Sequence, residues 1–329
     1  MSLIYTTGWK LTGTKSFRLS STKLLGEFGG NMQNSDASLL RCMRPTRPGY
    51  VFVSADQAGA EALIVANEAP KGRFIELFDV GIKPHTYLAL HIFLEKFRGE
   101  HPVERYWCVA PAVLASLPEW KTLNSFIADD PANEKEYKLG KTVIHASNYD
   151  MRWKTFQTNV LVQSQGTIIL TPAEAKRFLD VHAQVFPEIK AWQAEIRARL
   201  EATRLLRNLF GHPRVFNGRM NDELYRDGYS WIPQSTVGEI TNNACWKTQD
   251  YIEANHLPWD FVNNKHDSLT LCVPEEEKLP AAKWLKSSLE VPLRSTTGKH
   301  YNMKAEVSIG TNMDKWSKSN PEGLAKVKL

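Results

Sequence analysis

YVFVSADQAGAE, residues 50–61, begins as a strand and ends as a helix. Its β-branched and aromatic start, bounded by Pro48 and Gly49, predicts a strand with Asp56 as its last residue. Alternation puts Phe52, Ser54 and Asp56 on one face and Val51, Val53 and Ala55 on the other. Far downstream, KHDSLTLCVP (residues 265–274) offers a strand preceded by WDFVN, with His266 and Asp267 in the tight turn between the two. Taken singly, an aspartate at a strand end is usually a turn or cap residue. If the strands lie side by side, Asp56 and Asp267 converge. Paired carboxylates so placed are how a protein holds two Mg²⁺ ions for phosphoryl transfer.

The 329 residues, 42% of them hydrophobic, can bury the core of one large domain or two interleaved ones. A net charge of +5 is mild and does not by itself select nucleic acid. Cys42, Cys108, Cys245 and Cys272 are far apart with no CxxC pair, which reads as reduced thiols of a cytoplasmic protein rather than a zinc site or a disulfide framework. MSLIYTTGWK lacks a signal-peptide pattern, and no apolar stretch reaches membrane-spanning length, so no membrane partner is expected.

Between the two aspartates, helical periodicity dominates: AGAEALIVANEA, HTYLALHIFLEKF, residues 133–149, residues 172–204 with a break at Pro187, and TVGEITNNACWKTQDYIEA. Strand patterns return in WDFVN, SLTLCVP and, after a helix at 275–290, MKAEVSIG. Strand, many helices, then strands predicts an α+β fold: an antiparallel sheet built from both chain ends, with an inserted helical subdomain.

Six segments, in order, carry a resemblance. TGTKSFRLSSTKLLGEFGGNMQN is similar to a TGR-LSS…NLQN lead-in, SADQAGAEALIVAN to a first carboxylate motif, and KLGKTVIHASNYDM to a helix with lysine and tyrosine eight residues apart. WIPQSTVGEI is similar to a PxQGTAADI helix, KHDSLTLCVP to a His-Asp motif, and MKAEVSIGTNMDKW to a C-terminal strand. From about residue 12 to residue 316 the chain resembles the polymerase domain of family A DNA polymerases, the DNA polymerase I type.

The resemblance implies a palm in two parts, residues 1–64 and 226–329, the second carrying the His-Asp motif. Helical fingers would span 65–225, with an insertion near 96–132. It implies Asp56 and Asp267 as catalytic ligands of two Mg²⁺ ions. Lys141 and His85 would contact the incoming triphosphate, with His145 and Tyr149 further along the same helix face near the nascent pair. Glu61 would close over the ribose and exclude a 2′-hydroxyl. Arg18, Arg226, Gln234 and His266 would contact primer–template DNA. Dispersed cations (Arg41, Arg44, Arg47, Arg152, Lys154) are phosphate contacts or solvated surface charge.

The departures matter as much. Tyr137 stands where the family has arginine, with Lys138 next to it as a possible substitute. Asp150 stands where a glycine is usual, and Ser268 where a glutamate is usual. The His-Asp-Ser triplet is shared with single-subunit RNA polymerases, whereas Glu61 favours deoxynucleotides. The implied activity is a template-directed DNA polymerase. An RNA polymerase, a primer-synthesising enzyme or a non-catalytic primer–template-binding subunit are the alternatives. Little precedes the lead-in and no 3′–5′ exonuclease cluster is evident. The expectation is therefore a phage-like enzyme of the host cytoplasm that is either a reduced polymerase or a chain whose thumb, exonuclease or processivity function a separate subunit supplies. The Trp-rich segment 105–130 reads equally as a docking surface or a buried subdomain.

Overall fold

The computed structural model describes residues 7–10, 13–22, 30–98 and 109–329. Residues 12 and 23–29 of the lead-in, Cys108 and residues 99–108 of the expected insertion lie outside the described residues. In chain order there are a ribbon of β1 (Gly8–Lys10) and β2 (Ser20–Thr22), α1 (Ala37–Cys42), β3 (Tyr50–Gln57), α2 (Ala60–Glu68), α3 (Arg73–Asp79) and α4 (Pro84–Ile92). Next come α5 (Leu94–Arg98), α6 (Pro111–Ser116), α7 (Pro118–Asp129), α8 (Glu134–Asn148), α9 (Trp153–Gln163), α10 (Pro172–Val185) and α11 (Pro187–Thr203). A ribbon of β4 (Leu205–Arg207) and β5 (Pro213–Val215) precedes α12 (Asp222–Ala254), β6 (Asp260–Lys265), β7 (Ser268–Pro274) and α13 (Lys278–Leu289). The ribbon β8 (Pro292–Arg294) and β9 (His300–Asn302), then β10 (Ala305–Gly310) and β11 (Ala325–Val327), complete the described elements. They fall into two compact units. One comprises Met1–Glu61, Asn208–Phe210 and Pro233–Leu329; the other comprises Ala62–Arg207 and Gly211–Ile232.

The first unit is built on an antiparallel five-stranded sheet ordered β11-β10-β3-β7-β6. Its central strand comes from early in the chain and its four neighbours from the C-terminal part, as the α+β reading expects. Register sets its two faces. Val51, Val53 and Ala55 share a face with Val273, Leu271, Leu269 and Val307. Helix α13 packs against β3, β7 and β10 and buries Ala281, Ala282, Leu285 and Leu289. On the other face Phe52 and Cys272 are buried with Met32 and Met313. The hydroxyls of Ser54 and Thr270 come next, 3.0 Å apart, and then the exposed Asp56. The strand does not end at Asp56 as expected. It runs one residue further, because the Gln57 N–H donates to the Asp267 carbonyl at 3.1 Å and the buried Gln57 side chain donates to Thr241 Oγ1 of α12 at 2.7 Å.

Among its described residues, the second unit is helical apart from the β4–β5 ribbon. Phe74, Tyr87, Phe97, Phe156, Phe178, Phe186 and Trp192 fill its core. Leu114, Trp120, Leu123 and Ile127 join that core, so the described part of the Trp-rich segment packs one side of its helices inward, while its other side, Val113 included, is exposed. Pro172 and Pro187 open α10 and α11, where a missing N–H has no helical partner to lose. Thr171 and Glu174 add a reciprocal capping box to α10. Helix α12 starts well before the expected Thr236 and passes through Pro233. Proline removes one backbone donor there, but the preceding Trp231 and Ile232 are each 1% exposed, and packing overrides the local propensity.

Candidate active site

The β6–β7 hairpin turns on His266 and Asp267, with His266 at φ 56°, inside the left-handed region. The Asp267 N–H closes the turn onto the Lys265 carbonyl at 2.7 Å. Asp56 is the cross-strand partner of Ser268, so the register sets Asp56 and Asp267 on adjacent strands at one end of the sheet. Glu306, which sequence reasoning passed over, is the cross-strand partner of Asp56 on β10 and forms an ion pair with Lys326. Only the β3–β10 register reveals it.

Arg18 and Glu61 form an ion pair, and both act on Asp267. Burial pushes the Asp267 carboxyl above its ordinary range and Glu61 pushes the same way, while its own backbone N–H, Arg18 and His266 oppose the shift. Burial lowers His266, helped by Arg18 and opposed by Asp267. Arg18, Glu61, His266 and Asp267 are thus one electrostatic cluster. Gly238 of α12 makes room for it, because a Cβ there would lie 2.8 Å from the Ser16 carbonyl oxygen and 3.1 Å from Arg18 Cγ. Gln234, one turn earlier on α12, is half-buried in the same unit.

The donor set of Asp56 and Asp267 is hard oxygen on a partly desolvated edge, which suits Mg²⁺. No group of three or more His, Cys, Asp or Glu side chains forms a metal cage among the described residues. Two carboxylates leave most of the coordination sphere to water and phosphate oxygens, the usual arrangement for this ion. The residues present fit the metal.

In the helical unit, Tyr137, Lys141 and His145 lie along one face of α8, and Tyr149 caps its C-terminus. Lys141 and His145 are exposed and Tyr149 is buried. The His145 and Tyr149 rings meet edge to face at 5.1 Å. His85, the second residue of α4, sits 2.9 Å from the Tyr137 hydroxyl through Nε2. Burial lowers its pKa to about 4, reinforced by Lys83 and Lys141. Lys138 points elsewhere: its ammonium pairs with Glu134 at 2.6 Å on an exposed face. Residue 150 adopts φ 54°, which explains why glycine suits this position; Asp150 also pairs with Lys190.

Arg226 is half-buried on the first part of α12, within the helical unit. Each of the four dispersed arginines has a carboxylate partner: Arg41 with Asp314 at 3.9 Å, Arg44 with Glu322 at 2.9 Å, Arg47 with Asp260 at 3.4 Å, and Arg152 with Asp222. Lys154 lies over the Trp153 ring at 5.5 Å. No helix is long and apolar enough to cross a membrane among the described residues.

A family model described as DNA polymerase family A matches residues 126–317. Among solved structures, the chain is similar to the POL domain of Pol1 from M. smegmatis in complex with DNA primer-template and dNTP, with a TM-score of 0.65 and 17% identity. That match covers 94% of this chain and 48% of the other, so the chain spans about half the length of the solved chain it resembles. No curated protein matches it in sequence.

Proposed function

The chain belongs to DNA polymerase family A, and from that premise we propose that it is a template-directed DNA polymerase adding deoxynucleotides to a primer 3′-hydroxyl. The observation that supports this reading is the β3–β7 register, in which Asp56 lies opposite Ser268, the residue after Asp267, and Gln57 bonds to the Asp267 carbonyl. Held by these carboxylates, two Mg²⁺ ions would supply Lewis-acid stabilisation of the attacking and leaving oxygens. The sheet unit acts as palm and the helical unit as fingers.

The remaining work belongs to the chain's own side chains. Glu61, anchored by Arg18, favours deoxyribose by steric exclusion at C2′. Arg18, Gln234 and His266 of the palm and Arg226 of α12 contact primer–template, where minor-groove contacts test pair shape more than sequence. Lys141 and His85 receive the triphosphate, while His145 and Tyr149 pack near the nascent pair. Lys138, already engaged by Glu134, serves at most as an outer cation.

A ribonucleotide-using enzyme is the second reading, favoured by Ser268 directly after Asp267. Mg²⁺-dependent primer extension with dNTPs against rNTPs decides between them. Asp56→Asn and Asp267→Asn are each expected to abolish extension while leaving primer–template binding intact. Extension surviving either change overturns the metal site. Preference for rNTPs transfers the reading to the second enzyme class.

A further inference from the structure

Helices α4 and α8 touch at a glycine. A Cβ on Gly140 would lie 2.4 Å from the His85 carbonyl oxygen and 3.1 Å from Ala89 Cβ, so only the bare backbone permits this approach. The contact sets the Tyr137 ring edge to face on His85, with centroids 4.9 Å apart and planes at 81°, and brings Tyr137 Oη to 2.9 Å from Nε2. Lys141 follows Tyr137 by one turn of α8, and Lys83 is the N-cap residue of α4. Among the described residues, the charged groups that shift His85 are these two lysines. An uncharged ring is therefore held by a hydroxyl between two cations.

A polyanion is what such a cluster lacks. The negative charge that a Mg²⁺-bound triphosphate keeps on its outer oxygens would oppose the repulsion of Lys83 and Lys141 and favour the imidazolium, since a nearby opposite charge stabilises the charged form. We infer that Tyr137 is a positioning residue that holds His85 for a polyphosphate, and that polyphosphate binding beside Lys83 and Lys141 is coupled to uptake of one proton by the His85 ring. The proton comes from solvent and fills the unprotonated ring nitrogen. Nε2–H then donates to Tyr137 Oη, and no other bond changes. The low pKa of His85 in the free protein, about 4, leaves the ring empty and ready for that proton at neutral pH. This inference rests on the polymerase reading and names a residue and a coupling which that reading does not require.

The test is calorimetric titration of dATP into the full chain bound to a dideoxy-terminated primer–template, at pH 7.0 in two buffers of different ionisation enthalpy. The unaltered protein is expected to take up roughly half to one proton per dATP. His85→Gln should abolish the uptake. Tyr137→Phe keeps the ring contact but removes the hydroxyl; it should at least halve the uptake and raise KM for dATP roughly tenfold, well beyond its effect on kcat. Thermal melting of each variant reports folding separately. Equal proton counts in all three proteins would overturn the inference alone. No dATP binding by the unaltered protein would overturn the polymerase reading as well.

Discussion

Asp150 shows how one residue can depart from a family pattern without breaking the structure. The end of α8 is a Schellman turn. The Met151 N–H reaches the Ala146 carbonyl at 2.9 Å, and the Asp150 N–H reaches Ser147 at 3.1 Å. That turn needs a left-handed residue, and Asp150 supplies it at φ 54°. Aspartate tolerates this region better than most side chains, though less well than glycine. Its surface pair with Lys190 returns at most about 1 kcal/mol. The two effects nearly cancel, so Asp150→Gly should change stability by less than about 1 kcal/mol in either direction. Asp150→Ala keeps the strain and loses the pair, and should cost about 1–2 kcal/mol. Urea unfolding midpoints of the two variants give the order directly. If glycine proves as damaging as alanine, the ion pair rather than the backbone holds this turn.

At the scale of elements, the decisive contact is α8 on α4. Gly140→Ala would normally gain about 1 kcal/mol of helix propensity. Here the added methyl meets a backbone carbonyl that cannot rotate away, and overpacking of this kind costs about 1–3 kcal/mol. The expected result is a net loss of up to about 2 kcal/mol in urea unfolding, together with a weakened His85–Tyr137 hydrogen bond. A more stable alanine variant would show that the helices separate without penalty. Nothing in the sequence around Gly140 announces this role, because His85 lies far away in the chain and only packing joins them. The same holds for Gly238 against Ser16 and Arg18, and for Glu306 opposite Asp56. By contrast, most of strand β3, the turn at Asp267 and the proline start of α10 were legible, since alternation, turn chemistry and N-terminal proline are local signals. The course of α12 was not, because Pro233 is a local stop signal that burial of its neighbours overrules. Tyr137 reads in the sequence as a lost cation. In the structure it is the hydrogen-bond partner of His85.

At the scale of the molecule, the histidines that burial shifts furthest among the described residues, His85, His91 and His182, all belong to the helical unit. Burial lowers the first to about 4 and the other two to about 3, with nearby Lys83 and Lys141, Arg73 and Lys190 respectively adding to the shift. Near pH 5 the folded unit keeps these rings neutral, whereas the unfolded chain protonates them below about pH 6.5. The unfolded state therefore binds more protons, and stability must rise with pH through this window. The contribution is fully present above about pH 6.5 and is lost progressively as pH falls toward 4 and then 3. Each histidine adds a slope of up to about 1.4 kcal/mol per pH unit, so three acting together are worth roughly 4 kcal/mol per unit at the steepest point. Urea unfolding followed by far-ultraviolet circular dichroism at pH 7.5, 6.0 and 5.0 should show the midpoint dropping at each step. His182→Gln should flatten the dependence by about one third even if it lowers stability overall. Midpoints that stay level from pH 7.5 to 5.0 would mean that these rings are already charged in the folded state, or that their burial is relieved by local opening.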